Sequence, residues 1–192
     1  MAAPKYGTKW PVYAKQWDAM TLLTGRVSEL RKIAKNICDA KERYQAIEKV
    51  SGVPWYWIGP THVRESDQNW ARSLAQGDRW DRVSVHVPAG RGPFASFEAA
   101  AIDALQLDGL TRVVDWRLEK LLYYWETYNG WGYHAHGIPS PYVWGATSIQ
   151  VPGKYVADNK WSSTAVDGQP GCAAMLKCIM DLDPSVKPVR ED

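Results

Sequence analysis

The spacing of apolar residues divides the chain into helical segments separated by less regular stretches. From Trp17 to Val50 apolar residues recur mostly every three or four positions, which predicts one or two amphipathic helices with a break near Gly25. The residues of this stripe are Met20, Leu23, Val27, Leu30, Ile33, Ile37, Tyr44, Ile47 and Val50. Residues 1–13 combine prolines with aromatic residues and are predicted to form an extended arm.

Glycine and proline mark where the next helix begins. Gly52 is predicted to end the first helical region, and Pro54 can begin a second one at its first turn. The segment from Trp55 to Ser66 is apolar and then charged, which predicts a helix, although Pro60 is expected to break or kink it.

Three helices are predicted in the second half of the chain. Ser96 is a suitable N-cap for a helix that runs to about Leu107. A further helix is predicted over about Thr111 to Tyr128, where Gly130 marks its end, and a last one over about Gly171 to Leu182. The polar tail, residues 183–192, is expected to fray.

One short segment has the alternation that is typical of a strand. Val83, Val85 and Val87 alternate with Ser84 and His86, and turn-forming residues lie on both sides. We therefore predict a small β-hairpin at this point.

The predicted elements together indicate a single domain of the mainly α (α+β) class over residues 1–192. In this interpretation an N-terminal arm and helix occupy residues 1 to about 50, and a helical body with a small β-hairpin carries the active-site groove. Residues 129–163 are rich in Gly, Pro, Tyr and Trp and are predicted to form a long irregular loop, a kind of segment that is often functional.

The aromatic composition is unusual. The chain has 11 Trp and 10 Tyr but only 2 Phe. Trp and Tyr combine an apolar face with a hydrogen-bonding edge, which matches the C–H faces and hydroxyl rims of sugars. Most of these rings are expected in the core, and the excess favours a carbohydrate groove. The net charge of +2 is too small to indicate a nucleic-acid partner.

Cysteine usage and hydropathy indicate the compartment of synthesis. The three cysteines are Cys38, Cys172 and Cys178, an odd number without the spacing of a common zinc site, which suggests synthesis in a reducing cytoplasm. The N-terminal residues have no long apolar region, so we expect no signal peptide, and no stretch approaches the length of a membrane span.

One carboxyl group has the sequence neighbourhood of a general acid. Glycoside hydrolysis needs a carboxylic acid that keeps its proton near neutral pH, and partial burial among apolar rings favours the protonated form. Glu65 follows the Trp-rich segment 55–58 and precedes Trp70. Asp78 and Asp81, which come shortly before the predicted strand, are the candidates for a base or charge stabiliser across the groove. Ser84 could hydrogen-bond the attacking water.

These residues resemble a known family. His62-Val63-Arg64-Glu65-Ser66 is similar to the catalytic Arg-Glu-Ser motif of goose-type lysozymes and to the Glu-Ser motif of soluble lytic transglycosylases. Gly77-Asp78 resembles the Gly-Asp that follows in the goose-type enzymes, and Tyr128-Asn129-Gly130 resembles the Tyr-Asn motif of the same superfamily. Residues 17–182 as a whole resemble phage and prophage proteins of the lysozyme family. The Gly-Leu-Met-Gln motif of the goose-type enzymes is missing.

The resemblance implies roles for particular residues. Glu65 would be the acid, at a helix end over a sugar groove, and Asp78 the second catalytic carboxylate. The substrate-binding residues would be Ser66, Asp81, Ser84, Tyr128, Asn129 and Tyr133. Neither a metal nor another cofactor is expected.

The resemblance predicts a muramidase that cleaves the β-1,4 bond between N-acetylmuramic acid and N-acetylglucosamine. An inverting or retaining hydrolase and a lytic transglycosylase that releases anhydro-muropeptides remain alternatives. A non-catalytic peptidoglycan-binding or phage structural module is a third, and it predicts a fully exposed Glu65. A zinc amidase or peptidase that uses the histidines is a fourth, and His134 and His136 have the spacing of a metal-binding pair.

The resemblance also predicts a biological setting. We expect a monomeric endolysin that is made in the host cytoplasm and acts on peptidoglycan in the periplasm after release by a holin, without stable membrane insertion and without a nucleic-acid partner.

Overall fold

The fold was analysed in a computed structural model, which describes residues 3–75, 77–86, 88–157 and 159–191. Within these ranges the chain forms nine α-helices, two short 3-10 turns and one two-stranded antiparallel sheet. The predicted class, mainly α with a small β-hairpin, is confirmed. The chain divides into two compact units, residues 1–35 with 117–192 and residues 36–116, and each is described by itself.

The first unit is built from helices of both chain ends. Its α-helices are α1 (Tyr6–Ala19), the start of α2 (Val27–Asp39), α6 (Leu118–Asn129), α7 (Gly132–Ala135), α8 (Pro141–Trp144) and α9 (Cys172–Leu182). Helix α6 packs against α1, α8 and α9, and α8 also packs against α9. Cys172 and Cys178 are buried on α9, as expected of small apolar residues. The predicted last helix is confirmed.

The predicted extended arm is wrong, because α1 begins at Tyr6 and continues through Pro11. Tertiary contacts outweigh the low helix propensity of proline here. The Tyr13 hydroxyl donates to the buried Glu126 carboxylate, the Tyr6 hydroxyl donates to Glu191, and Trp17 is buried.

The predicted frayed tail is also wrong for its described residues. The Leu118 amide donates to the Val189 carbonyl, and Val186 is buried. The Glu119 carboxylate, which is fully buried, accepts hydrogen bonds from Arg190 Nε at 2.6 Å and from the Glu191 amide at 2.8 Å. The polar tail is therefore held by a buried carboxylate, which hydropathy along the chain does not predict.

The β-hairpin lies elsewhere than predicted. Strands β1 (Lys154–Ala157) and β2 (Lys160–Ser162) pair antiparallel, with Tyr155 opposite Trp161. Both strands belong to the stretch predicted to be a long irregular loop, which also contains α7 and α8.

The second unit contains the end of α2 and helices α3 (Lys41–Ser51), α4 (Trp55–Ser66) and α5 (Phe97–Leu107). Helix α3 packs against both α4 and α5. Gly52 ends α3 in a left-handed conformation, and Ser96 caps α5 by accepting a hydrogen bond from the Ala99 amide, both as predicted. Pro60 lies inside α4 and does not break it.

The predicted strand at residues 83–87 is not present in its described part. Val83 and Val85 are 52 % and 77 % exposed, so their alternation does not reflect a buried face. The Ser84 amide donates to the Arg91 carbonyl, and the amides of Val85 and His86 donate to a side chain instead of a strand. Val87 lies outside the described residues.

Two further predictions from the apolar pattern are wrong. Helix α6 begins at Leu118 and not near Thr111, because residues 110–112 form a separate 3-10 turn. Val50, the last residue of the predicted amphipathic stripe, is 68 % exposed, and Val114, within the helix predicted from about Thr111, is 97 % exposed. Among the described residues, the helices are too short or too polar to cross a lipid bilayer.

Candidate active site

Helix α4 carries the proposed acid, Glu65, in its last turn. Residues 57–63 of this helix are all buried, whereas Arg64, Glu65 and Ser66 are half-buried. Ser66 ends the helix, and its hydroxyl donates to the His62 carbonyl at 3.3 Å. Glu65 is thus held by a helix that is fixed in the core over the preceding turns.

The chain leaves α4 through a strained turn. Asp67 and Gln68 both have positive φ, 57° and 58°, which is uncommon for residues other than glycine. Their amides donate to the carbonyls of Val63 and His62 and so close the end of the helix. Strained backbone of this kind is concentrated at functional sites.

Side chains of α3 and α4 support the Asp67–Gln68 turn through hydrogen bonds. Gln68 Nε2 donates to the Tyr44 hydroxyl at 3.1 Å, and Tyr44 Oη lies 2.9 Å from His62 Nδ1. Burial lowers the pKa of His62 to about 4, so that this ring is neutral at pH 7. Gln68 Nε2 also lies 3.2 Å from the Asn36 carbonyl, to which it donates.

Trp70, two residues further on, joins an aromatic cluster. Its ring contacts Tyr44, His62 and Phe97 at centroid distances of 5.2, 4.8 and 4.8 Å. The Arg43 guanidinium lies 3.9 Å from the Trp70 ring centroid, a cation–π distance, and pairs with Glu98.

A cavity of about 610 Å³ lies in the second unit beside this cluster. Its lining includes Arg43 and Trp70, the strained Asp67–Gln68 turn, and two further carboxylates, Asp39 and Glu42. Because Asp67 and Gln68 directly follow Glu65 and Ser66, the chain passes from the proposed acid into the wall of the cavity.

The Gly77-Asp78 turn packs against the end of α4. Gly77 has φ of +66°, and a Cβ added to it would lie 3.2 Å from the Glu65 carbonyl oxygen. Arg72 donates to the Gly77 carbonyl at 2.7 Å, and the Ser73 amide donates to the Asp78 carbonyl at 2.7 Å. The turn that carries Asp78 is therefore packed, through Gly77, against the backbone of Glu65.

The Asp78 carboxylate holds the following loop. Oδ2 accepts hydrogen bonds from the amides of Val85 at 2.9 Å and His86 at 3.0 Å, and Oδ1 lies 2.6 Å from His86 Nδ1. These hydrogen bonds, the His86 amide first, lower the pKa of Asp78. The side chain of Asp78 is 17 % exposed and that of His86 is 72 % exposed. The imidazole of His86 is thus oriented by the Asp78 carboxylate and exposed to solvent.

Asp81 and Ser84 make local contacts. Asp81 forms a bidentate pair with Arg79, and its side chain is 38 % exposed. Ser84 is buried, and its hydroxyl donates to the Pro88 carbonyl and accepts from the Arg91 amide. Ser84 therefore organises the loop, and a contact with the attacking water stays a prediction.

The other three predicted site residues belong to the first unit. Tyr128 is half-buried and Asn129 is exposed, at the end of α6. Tyr133 is buried and packs against Tyr155 and Trp161 of the β-hairpin. The predicted groove contacts of these three residues stay predictions.

Sequence reasoning missed His86 as the partner of Asp78. The valines on both sides of His86 suggested the outward position of a strand. Seven residues separate Asp78 from His86, and no periodic pattern in the sequence indicates that their side chains pair. The Arg43–Trp70 stack was missed as well, since the two residues lie on different elements.

The remaining histidines, His134 and His136, contact different aromatic side chains. His136 stacks on Trp161 with centroids 3.7 Å apart, and its Nε2 lies 3.1 Å from the Tyr155 hydroxyl. His134 contacts the edge of Trp131. Over the described ranges, no group of three or more His, Cys, Asp or Glu side chains is arranged to hold a metal ion.

Comparisons of the chain with protein-family models, with curated proteins and with solved structures gave no significant match.

Proposed function

We propose that the protein cleaves the glycan strands of peptidoglycan between N-acetylmuramic acid and N-acetylglucosamine, with Glu65 as general acid. The observation that carries this proposal is the position of Glu65. It is half-buried in the last turn of a buried helix, the strained turn that follows it in the chain lines a 610 Å³ cavity, and Gly77 packs against its backbone carbonyl. The motif resemblance supplies the substrate class.

The chemistry requires a carboxyl group that donates its proton to the glycosidic oxygen as the bond breaks. General acids of this kind are usually set partly among apolar groups, and Glu65 is half-buried. A non-catalytic module predicts a fully exposed Glu65, and the half-buried position favours the enzyme over that alternative.

The second catalytic group follows from the Asp78–His86 pair. Three hydrogen-bonding contacts already engage the Asp78 carboxylate, which leaves it little capacity to activate water directly. A carboxylate bound to Nδ1 fixes the tautomer of a histidine and leaves Nε2 as a base. We therefore propose that Asp78 acts through His86, whose Nε2 would take the proton of the attacking group.

That attacking group is either a water molecule or the 6-hydroxyl of the muramic acid. Water would give a reducing end, as in a muramidase, and the hydroxyl would give the anhydro ring of a lytic transglycosylase. In both cases the proton leaves the attacking oxygen and Glu65 protonates the departing one. The resemblance extends the proposal to a monomeric phage endolysin that acts on the bacterial wall.

Mass spectrometry of fragments released from purified peptidoglycan tests the proposal. Wild type should release muropeptides, and Glu65→Gln should lower the rate roughly a hundredfold or more, the usual contribution of a general acid. Glu29→Gln is the matched control, because Glu29 is an exposed carboxylate paired with Arg26 on the surface.

The fragment masses distinguish the two reactions, since reducing ends indicate hydrolysis and anhydro ends indicate transglycosylation. Equal activity of Glu65→Gln and Glu29→Gln would remove Glu65 from the mechanism. Sedimentation with peptidoglycan without any released fragment would favour the binding module.

A further inference from the structure

The first unit contains a cavity of about 530 Å³ that the proposed reaction does not use. It runs along one side of α1 and is bordered by the last turn of α6 and by residues of the segment 134–139. This volume lies within the range of small-molecule sites, about 300–1,000 Å³. All of its lining residues belong to the first unit, whereas Glu65 belongs to the second.

A buried ion pair lies in the lining of this cavity. The Glu126 side chain is only 3 % exposed, and Lys9 Nζ lies 3.2 Å from its Oε2. The Tyr13 hydroxyl donates to the same oxygen. The hydrogen bond and the ion pair described for Glu126 thus both use Oε2, which leaves Oε1 to accept from a ligand. An ammonium group has three N–H donors, so Lys9 also retains donor capacity.

The rest of the lining is mixed. Val12, Ile138 and Pro139 supply apolar surface, and His134 supplies a further polar group. Val12 is 46 % exposed, so part of the apolar wall is accessible from solvent. Because the formal charges of Lys9 and Glu126 cancel, the cavity favours a neutral ligand over an ion.

From this arrangement we propose that the cavity binds a short neutral saccharide. A sugar hydroxyl both donates and accepts. Neighbouring hydroxyls can therefore donate to Glu126 Oε1 and accept from Lys9 Nζ while the C–H face contacts Val12, Ile138 and Pro139. The choice of an N-acetylated glycan as the saccharide rests on the proposed function.

Backbone amide NMR of the full chain tests the inference, with N,N′-diacetylchitobiose as the probe. The protein carries Glu65→Gln, so that slow cleavage does not change the probe. The expected result is a saturable shift of the backbone amides at residues 8–10, 12 and 134–138. Glu126→Gln and Lys9→Met should each weaken binding about tenfold or more, the loss expected when a charged hydrogen-bond partner is removed.

Two kinds of control test whether binding occurs in the cavity. Lys15→Met changes an exposed lysine of α1 outside the cavity, and Glu29→Gln changes an exposed carboxylate, so both should leave the affinity unchanged. Val12→Trp fills the cavity from a half-exposed position, where it should abolish binding without lowering the melting temperature.

The outcomes separate this inference from the proposed function. Shifts confined to Trp70 and the other residues of the second unit would overturn the inference and support the reaction at Glu65. Shifts in the cavity, combined with no cleavage of peptidoglycan by wild type, would sustain the inference and refute the proposed function. An absence of shifts, or equal affinity of Glu126→Gln and wild type, would overturn the inference.

Discussion

Gly77 packs against the backbone carbonyl of Glu65, so closely that a Cβ on Gly77 would lie 3.2 Å from that oxygen. This contact joins the helix that carries the proposed acid to the turn that carries Asp78. Its sequence signature is a glycine twelve positions after the glutamate, a residue that could equally have served a simple turn.

Substitution of Gly77 by alanine should lower both stability and activity. The positive φ of 66° should cost an alanine about 1–2 kcal/mol in the free energy of unfolding. The added Cβ also presses on the Glu65 carbonyl, which should displace the acid and slow muropeptide release. Urea denaturation and the fragment assay measure the two effects.

Gly109→Ala is the matched control, because Gly109 has φ of +68° and open space around its added Cβ. It should lose similar stability and keep its activity. If both variants retain equal activity, the contact between Gly77 and Glu65 has no role in catalysis.

Removal of the Asp78 charge should free the loop that contains His86. Asp78→Asn weakens the acceptors of the Val85 and His86 amides, so these two amides should exchange with solvent deuterium faster than in wild type. Asp81→Asn, in which only the surface pair with Arg79 is lost, should leave their exchange unchanged. Unchanged exchange in Asp78→Asn would show that the carboxylate does not hold the loop.

The same substitution has a defined pH dependence. The pKa of Asp78 is lowered in the folded state, so its carboxylate contributes stability above the ordinary pKa of 3.8. That contribution is lost as the pH falls through the folded-state pKa. The difference in urea midpoint between wild type and Asp78→Asn should therefore be present at pH 7 and shrink in strong acid.

His62 should make the protein sensitive to mild acid. Burial lowers its pKa from 6.5 to about 4, so the unfolded chain takes up a proton between these values while the folded protein does not. The contribution of this group should therefore be full above pH 6.5, and its titration should lower the free energy of unfolding by about 3 kcal/mol as the pH decreases to 4. Urea denaturation across this range measures the loss.

The glutamine of His62→Gln does not titrate, so this variant should not show the loss of stability that His62 causes between pH 6.5 and 4. The substitution also changes the hydrogen bond with Tyr44. His86→Gln is the control, because the side chain of His86 is 72 % exposed. This variant should lose the same stability between pH 6.5 and 4 as wild type. An identical pH profile for wild type and His62→Gln would contradict the assignment to His62.

The C-terminal tail should contribute to global stability through Glu119. Arg190→Ala removes the cation that donates to this fully buried carboxylate and should lower the free energy of unfolding by about 1–3 kcal/mol. Lys187→Ala, at an exposed position of the same tail, should have little effect. Equal stability of the two variants would mean that the tail is not anchored at Glu119.

Parts of the candidate site could be predicted from local sequence. Glu65 stands at a helix end because the apolar run before it forms a buried helix, and Gly77-Asp78 stands at a turn because glycine adopts the positive φ there. The pairing of Asp78 with His86 could not be predicted, because it depends on the path of a loop between two helices. The same holds for Glu126 and Lys9, which lie on separate helices far apart in the chain.

The sequence by itself determined the helical class and the C-terminal ends of α3, α4, α5, α6 and α9, because side-chain periodicity, caps and glycine conformations act over a few residues. Tertiary structure alone decided that residues 6–19 form a helix despite Pro11, that the tail is held by Glu119, and that the hairpin lies at residues 154–162 instead of 83–87. In the first two cases hydrogen bonds between residues distant in the chain outweigh local propensity, and a pattern along the sequence does not contain them. At residues 83–87 the backbone amides instead bond to the Asp78 side chain and to the Arg91 carbonyl, so the valine alternation does not form a strand.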